Sequence, residues 1–278
     1  MSTQGLARAL RAYLGLKTGL IEYKIKKSNI RIIVEDSVNK VRPYTVAAVV
    51  KNLKLDYEKI KEIINIQEKI HNTFARKRKK TSIGIYPLEN IKPPIRYLAK
   101  SPEEINFRPL EFEKELNAKE ILLKHPAGIK YADLLKGLDK YPIFVDANNK
   151  VLSMPPIINA HELGKVTEKT KDVFIECSGY DLNASEQVLN LIVTTLADMG
   201  GEIYSVDVEY KTKKLTTPDL NPEKKEIAIK EINSLLGLNL NDKEVTENKI
   251  NHNTVQFKKE WSYLRKVSEL HKQIENIK

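Results

Sequence analysis

The chain has few of the residues that covalent or metal-based chemistry needs. It contains one cysteine, Cys177, and five histidines among 278 residues. A single cysteine excludes an intrachain disulfide and fits a reducing compartment, so we predict a cytoplasmic protein. No two histidines stand at metal-ligand spacing, and the motifs HExxH, CxxC, GxGxxG and GxxxxGK[ST] do not occur. We therefore predict neither a metal nor a cofactor.

Long apolar runs are also missing. No stretch approaches the length that spans a membrane, and the start, MSTQGLARAL, lacks the apolar segment of a signal peptide. The hydrophobic share of 41% and the charged share of 30% are ordinary for a globular protein. We predict no membrane partner and a buried, unreactive thiol at Cys177.

The charge that is present is unbalanced. Lysine and arginine exceed aspartate and glutamate by 47 to 37, which gives a net charge of +10 and suits an anionic partner. Five cations are consecutive: Arg76, Lys77, Arg78, Lys79 and Lys80. Such a run predicts RNA binding through phosphates. A nuclear-localisation signal, a solvated helix end and a lysine-rich surface without a partner are alternatives.

Hydrophobic spacing predicts an α+β fold with a mixed, mostly antiparallel sheet packed with helices. Apolar residues recur at helical spacing after Asp56, a candidate cap, and again over 184–198. Residues 20–35 predict a hairpin that turns at Ser28 and Asn29. A helical carboxyl-terminal tail is expected around Trp261, whose apolar stripe predicts a packing face or a partner interface.

The stretch from Pro142 to Leu182 is the most informative. Two short apolar runs bracket a turn at Asn148 and Asn149, a polar loop follows, and a third run, DVFIEC, contains Glu176. A carboxylate within an apolar run is costly unless it has a partner. We therefore expect a polar pocket here, with Glu176 in it.

Several segments resemble the β subunit of archaeal and eukaryotic phenylalanyl-tRNA synthetase, in order from about Gly5 to about Leu240. They are GLARALRAYLG, NIQEKIHNTFARKRKKTSIGIYPLENIKPPIRY, HPAGIKYADLL, VLSMPPIIN, KTKDVFIECSGYDL and TPDLNPEKKEIAIKEINSLLGLNL. The resemblance implies a remnant of the amino-terminal region in 1–40, a tRNA-editing domain with that subunit's editing fold in 41–210, and a linker with a helical tail in 211–278.

The resemblance further implies an editing hydrolase that cleaves the ester of tyrosyl-tRNA(Phe), in trans or with the synthetase. Its partners would be mischarged tRNA and the synthetase subunits. The family's aminoacylation region is not matched, so the chain alone is not expected to charge tRNA. The unmatched tail favours a free-standing relative over an excised piece. A non-catalytic paralogue that binds tRNA or the synthetase is the alternative.

Three residues carry the implied chemistry. Glu176 is expected to accept a hydrogen bond from the tyrosine hydroxyl; pairing with backbone amides or a lysine is the alternative. Asn159 is expected to hold the α-amino group or the attacking water, or else to be a turn residue. Ser153 is expected to line the pocket, or else to bond the backbone at a strand edge. No strong general base is evident, and the vicinal hydroxyl of the tRNA is expected to assist.

Four further positions complete the implied binding site. Phe144 would shape the aromatic pocket or simply fill the core, and Ser178 and Gly179 would bring backbone close to the ester. Thr167 is a weaker candidate for a pocket wall. Ala160 stands where many archaeal members of the family have serine, which removes a hydroxyl.

Overall fold

A computed structural model describes residues 2–17, 19, 21–222 and 228–245. Tyr23–Asp219 form one compact unit, and the described residues on either side of it belong to a second. The second unit begins with helix α1 (Thr3–Tyr13), which the Ser2 side chain caps by accepting a hydrogen bond from Gly5 N. The predicted helix around Trp261 lies outside the described residues.

The large unit contains most of the regular structure. Its strands are β1 (Ile25–Val34), β2 (Tyr44–Lys51), β3 (Thr81–Pro87), β4 (Ile95–Lys100), β5 (Asn106–Phe107), β6 (Leu116–Asn117), β7 (Tyr141–Val145), β8 (Val151–Met154), β9 (Ile158–Asn159), β10 (Val173–Gly179), β11 (Glu202–Glu209) and β12 (Lys214–Thr217). Its helices are α2 (Tyr57–Asn72), α3 (Ala118–Lys124), α4 (Pro126–Tyr131), α5 (His161–Gly164) and α6 (Leu182–Asp198). Within the described ranges, no helix combines the length and apolarity that a membrane crossing requires.

Ten strands form one mixed sheet in the order β3-β10-β2-β11-β1-β4-β7-β8-β9, with β12 paired to β11. Strand β1 runs parallel to both of its neighbours, and the other pairs are antiparallel. Strands β5 and β6 form a separate ribbon. The predicted α+β class with a mixed, mostly antiparallel sheet is confirmed.

The predicted hairpin at residues 20–35 is wrong. Ile25–Val34 is one strand, and its pairing with β11 shifts register between Lys27 and Arg31. The Ser28 hydroxyl donates to the carbonyl of Ser205 at this irregularity. Serine and asparagine therefore mark a bulge here, because both flanking segments pair in one direction with the same distant strand.

Strands β3 and β10, with the sequences TSIGIYP and VFIECSG, are buried on both faces. Every residue of both strands is buried. On one face, Ala47, Val49, Tyr86 and Phe174 join a hydrophobic cluster. Helix α6 packs against β2 and β10, with Val188, Leu189 and Ile192 among its buried residues.

The sheet is almost closed, because its first strand, β3, lies close to its last strand, β9. Side chains rather than backbone pairs bond the open edge of β3. On α2, which Asp56 caps as predicted, Gln67 donates to the Ile83 carbonyl at 2.9 Å and His71 Nε2 accepts from Ile83 N at 3.0 Å. On β9, at the other end of the sheet, Asn159 Nδ2 donates to the Ile85 carbonyl at 3.4 Å. The first and last strands thus meet at a seam bridged by side chains.

In the second unit, a helix follows the stretch predicted as a linker, and part of that stretch is strand β12 of the large unit. This helix, α7 (Ile229–Leu236), lies within the predicted helical tail of 211–278, and residues 223–227 before it are outside the described residues. Gly237 ends α7 with a φ of 65°, a left-handed conformation that glycine adopts without strain.

Candidate functional site

A pocket of about 120 Å³ lies at the seam between β3 and β9. A dry cavity of about 150 Å³ accommodates one benzene molecule, so this space is on the scale of an aromatic ring. Its lining residues are Gln67, Arg78, Ser82, Ile83, Leu110, Ser153, Pro155, Pro156, Ile157, Ile158, Asn159 and Glu176. The pocket therefore brings together Glu176, Asn159 and Ser153, the three residues expected to carry the chemistry.

Glu176 is the acidic residue of the pocket. It lies on β10 with 2% of its surface exposed, and its Oε1 is 3.1 Å from the hydroxyl of Tyr86. Its other oxygen, Oε2, is buried without a hydrogen-bond partner. Burial raises the carboxyl pKa to about 7, against the opposing effects of the Tyr86 hydrogen bond, the Arg42 cation and the nearby Ser178 hydroxyl. Near neutral pH the group can therefore either accept or donate a hydrogen bond.

Tyr86 and Gly84 belong to the site although the sequence did not single them out. The Tyr86 hydroxyl is buried and lies 2.7 Å from Ser153 Oγ as well as 3.1 Å from Glu176. Gly84 is directly opposite Glu176 in the β3–β10 ladder. A Cβ at Gly84 would stand 2.2 Å from the Tyr86 hydroxyl and 2.4 Å from Glu176 Oε1. Only glycine leaves room for this contact.

Arg42 is a buried cation behind the pocket that was also missed. Its guanidinium donates to the Ser178 carbonyl through Nη2 at 2.6 Å and through Nε at 3.1 Å. Nη2 also donates to Ser82 Oγ at 3.2 Å and to the Arg78 carbonyl at 3.3 Å. Arg42 therefore ties together β3, β10 and the loop before β3. Its sequence neighbours, Val41 and Pro43, gave no periodic pattern to signal this.

Asn159 and Ser153 face each other across the β8–β9 pair. Ser153 is 2% exposed and contacts Tyr86, whereas Asn159 is half-buried and reaches the Ile85 carbonyl. Asn159 also packs against Gly164, where a Cβ would lie 2.7 Å from that of Asn159. Ala160 is buried in the apolar cluster beneath β8 and caps α5 without a side-chain hydrogen bond.

The other predicted binding residues lie off the pocket lining. Phe144 is fully buried and stacks on Tyr97 with ring centroids 4.3 Å apart, so it is a core residue. Ser178 is buried beside Arg42. A Cβ at Gly179 would lie 2.3 Å from the Lys80 carbonyl, so this glycine allows close strand contact. Thr167 is exposed, and its hydroxyl accepts from Lys169 N in a turn.

The basic run divides into two kinds of cation. Arg76, Lys77 and Arg78 form a left-handed turn, with φ values of 51°, 55° and 66°. Arg76, Lys77 and Lys79 are exposed and make no ion pair within the described part of the chain. Lys80 pairs with Asp181 at 3.1 Å. The exposed cations fit the predicted phosphate contacts, whereas the contacts of Arg78 are internal.

Arg78 holds the pocket wall. Nη1 donates to the carbonyls of Pro156 and Ile157 at 3.0 and 2.9 Å, and Nη2 donates to Glu68 Oε1 at 2.8 Å. Its guanidinium also stands over the ring of Tyr131 at 4.2 Å. The prediction treated five cations alike, but Arg78 links α2 to the turn between β8 and β9.

His71 supports the same wall in its neutral form. Because Nε2 accepts from Ile83 N, the ring proton is on Nδ1, which lies 3.1 Å from Glu68 Oε1. Burial lowers the pKa of His71. Hydrogen bonds from His71 and Arg78, against the cost of burial, lower the pKa of Glu68 to about 2.

Fold and site together define a class: an α+β domain with a ring-sized pocket whose buried carboxylate keeps one oxygen free for a donor. Among the described residues, no group of histidine, cysteine, aspartate or glutamate side chains could hold a metal ion. The pocket thus combines ring-sized space with a carboxylate oxygen that has no hydrogen-bond partner.

Comparison with known proteins identifies the family. The chain is 46% identical over 246 residues to the phenylalanine–tRNA ligase beta subunit of Pyrococcus abyssi, and 45% identical over 245 residues to that of Methanococcus aeolicus. Each match covers 88% of this chain and 44% of the relative. No protein-family model matches.

A solved structure extends the match to the fold. An N-terminal fragment of the phenylalanyl-tRNA synthetase β-subunit from Pyrococcus horikoshii superposes with a TM-score of 0.85 at 43% identity. The match covers 90% of this chain and 72% of the fragment. The chain therefore belongs to the phenylalanyl-tRNA synthetase β-subunit family, and it spans less than half the length of the curated relatives.

Proposed function

We propose that the chain is an aminoacyl-tRNA editing module that hydrolyses the ester of tyrosyl-tRNA(Phe). The observation that carries the proposal is Glu176 Oε2, a buried carboxylate oxygen without a partner in a pocket the size of an aromatic ring. A buried polar group that lacks a partner costs free energy, and a phenol hydroxyl would supply the missing hydrogen bond.

The proposal explains why such a site would be needed. A pocket that accepts phenylalanine rejects an analogue with one added hydroxyl by only about a hundredfold, so tyrosine is mischarged. A second site that bonds the hydroxyl works in the opposite direction. Phenylalanine would leave the Glu176 oxygen unpaired and would be rejected, by about 10⁴-fold in sites of this kind.

Hydrolysis requires a positioned water more than a strong base. The aminoacyl ester is already activated, so orienting water beside its carbonyl contributes much of the rate. Asn159 and Ser153 line the same pocket as Glu176 and are the side chains we assign to the α-amino group and the water. In this assignment Glu176 recognises the substrate, and the vicinal hydroxyl of the tRNA assists the attack.

The exposed cations Arg76, Lys77 and Lys79 are assigned to tRNA phosphates. They precede β3, the strand that supplies Ser82 and Ile83 to the pocket. Partners of this kind are mischarged tRNA and, for action together with the synthetase, its other subunit. These cations also support the second candidate, a non-catalytic module that binds tRNA or the synthetase, because phosphate contacts need no pocket chemistry.

Deacylation assays on the purified chain test the proposal. Wild-type protein is expected to release tyrosine from tyrosyl-tRNA(Phe) above the uncatalysed rate and to spare phenylalanyl-tRNA(Phe). Glu176→Gln is expected to reduce this preference by about 10- to 100-fold, the value of a hydrogen bond to a charged group. Glu162→Gln is the matched control, because Glu162 forms an exposed ion pair with Arg108.

Two results would separate the candidate functions. If folded wild-type protein binds tRNA but releases no tyrosine above the uncatalysed rate, the hydrolase proposal is lost and the binding module remains. If Glu176→Gln edits with unchanged preference, another residue recognises the hydroxyl.

A further inference from the structure

We propose that Tyr86 is the positioning residue that holds Oε1 of Glu176 and leaves Oε2 as the acceptor for the ligand. This inference rests on the proposed function and deepens it, because it says how the Glu176 carboxylate recognises one hydroxyl group through one fixed oxygen. Three observations carry it: the two contacts of the Tyr86 hydroxyl, the unpaired Oε2, and the space that Gly84 leaves.

The number of hydrogens fixes the direction of the contacts. The Tyr86 hydroxyl has one hydrogen but stands within hydrogen-bond distance of both Ser153 Oγ, at 2.7 Å, and Glu176 Oε1, at 3.1 Å. An ionised carboxylate can only accept. Tyr86 therefore donates to Glu176, and Ser153 donates to Tyr86, whenever Glu176 is charged.

This relay also determines what Ser153 offers to a ligand. With its only hydrogen committed to Tyr86, the Ser153 oxygen presents lone pairs alone. It can then accept from the α-ammonium group of the substrate or from the attacking water, but it cannot donate to the ester carbonyl. The charge on Glu176 thus sets the polarity of the pocket lining at Ser153.

Gly84 provides the space that the contact between Tyr86 and Glu176 needs. It is directly opposite Glu176, and any Cβ there would stand 2.2 Å from the Tyr86 hydroxyl and 2.4 Å from Oε1. A side chain at this position would separate the hydroxyl from the carboxylate. The carboxylate of Glu176 would then be free to rotate, and neither of its oxygens would be fixed as the acceptor for the ligand.

Tyr86→Phe tests the proposal, because it removes the hydroxyl and keeps the ring. The ionisation of Glu176 is measured by carboxyl NMR on protein labelled with ¹³C-glutamate, with its resonance assigned from Glu176→Gln. Loss of a hydrogen bond to the charged form is expected to raise the Glu176 pKa by about one unit, a tenfold change in its ionisation constant.

The matched control is Tyr210→Phe. The Tyr210 hydroxyl also makes two hydrogen bonds, because it donates to the Thr45 carbonyl and accepts from Thr45 N, both at 2.8 Å, and neither bond involves Glu176. Both variants therefore lose the two hydrogen bonds of one tyrosine hydroxyl, so a general loosening of the core would affect them alike. Only Tyr86→Phe is expected to move the Glu176 titration and the pH at which deacylation reaches half its maximum. Equal titrations in the two variants would overturn the proposal.

Binding of a stable substrate analogue supplies a second readout. Wild-type protein is titrated calorimetrically with 3′-tyrosylamino-3′-deoxyadenosine and with its phenylalanyl counterpart. Tyr86→Phe is expected to lower the preference for the tyrosyl compound about tenfold, the value of roughly one hydrogen bond. An unchanged preference would show that Tyr86 does not orient the acceptor.

Gly84→Ala keeps the proposal testable if Tyr86→Phe folds poorly. It leaves the Tyr86 hydroxyl in place but is expected to push it off Glu176, so the titration and the preference should change as in Tyr86→Phe. Failure of the parent proposal is distinct: wild-type protein would then show no tyrosyl preference, while the carboxyl titration would still report whether Tyr86 holds Glu176.

Discussion

Arg42 and Glu176 are both buried to 2% exposure in the large unit, yet their surroundings differ in one respect. Arg42 donates to two carbonyl groups and a serine hydroxyl, all from the protein itself. Glu176 has one oxygen bonded and one without a partner. A buried charge that the protein satisfies is part of the scaffold, and a buried charge left unsatisfied indicates a place for a ligand.

The largest effect on stability is expected at Arg42. Arg42→Met removes donors from the Ser178 and Arg78 carbonyls and from Ser82, so several buried acceptors lose their partners. We expect a loss of about 4 kcal/mol in the free energy of unfolding, from two or three hydrogen bonds to a charged group. Urea denaturation measures it. A loss no larger than that of an exposed control, Lys54→Met, would mean that Arg42 is not part of the scaffold.

Glu176 should behave in the opposite way, since its charge costs stability in the absence of ligand. Its pKa is about 7 in the folded protein and about 4.5 in the unfolded chain. The folded state therefore binds more protons between these values, and stability is lost as the pH rises through that window. The full penalty, present above about pH 8, is roughly 3 kcal/mol.

Unfolding free energies of wild type and Glu176→Gln, measured from pH 4 to pH 8.5, isolate this contribution. As the pH rises across this window, the free energy of unfolding of the variant is expected to increase relative to that of the wild type by about 3 kcal/mol. Most of the change should fall between about pH 5 and pH 7.5. Other titrating groups cancel in the difference. A difference that stays constant with pH would place Glu176 in a solvated environment and would remove the contrast with Arg42.

The sequence predicted parts of the scaffold and the location of Glu176 in a pocket. Helical spacing after Asp56 predicted α2 and its cap, and the cost of a carboxylate in the run FIEC pointed to Glu176. Tyr86 and Arg42 could not be predicted, because their roles depend on β3 and β10 pairing across about 90 residues. The available signal was the spacing of Gly84 and Tyr86, which are two residues apart in β3 and therefore lie on the same face of the strand. The hairpin prediction around Ser28 failed for the same reason, since its parallel partner β11 is distant in the sequence.

The smallest effects are expected in the basic run, where the same contrast recurs between neighbouring cations. Arg78 bonds the carbonyls of Pro156 and Ile157 and also Glu68, whereas Lys77 and Lys79 are exposed without an ion pair in the described ranges. Arg78→Lys cannot reproduce the planar fork, so we expect a loss of about 1–2 kcal/mol in stability. Substituting both lysines by alanine is expected to change stability by less than about 0.5 kcal/mol.

Affinity for tRNA should show the opposite order: the Lys77 and Lys79 substitutions should affect it more than the Arg78 substitution. Removing one lysine–phosphate interaction lowers the slope of log affinity against log salt by about 0.7 to 0.9. The Lys77 and Lys79 double variant should therefore lower the slope by between about one and two, as measured by filter binding at several salt concentrations. Arg78→Lys should leave the slope unchanged while lowering stability, since its guanidinium is committed to the pocket wall. If the slope instead falls with Arg78→Lys and not with the two lysines, phosphate binding belongs to the internal cation and the distinction between satisfied and free charges fails on this surface.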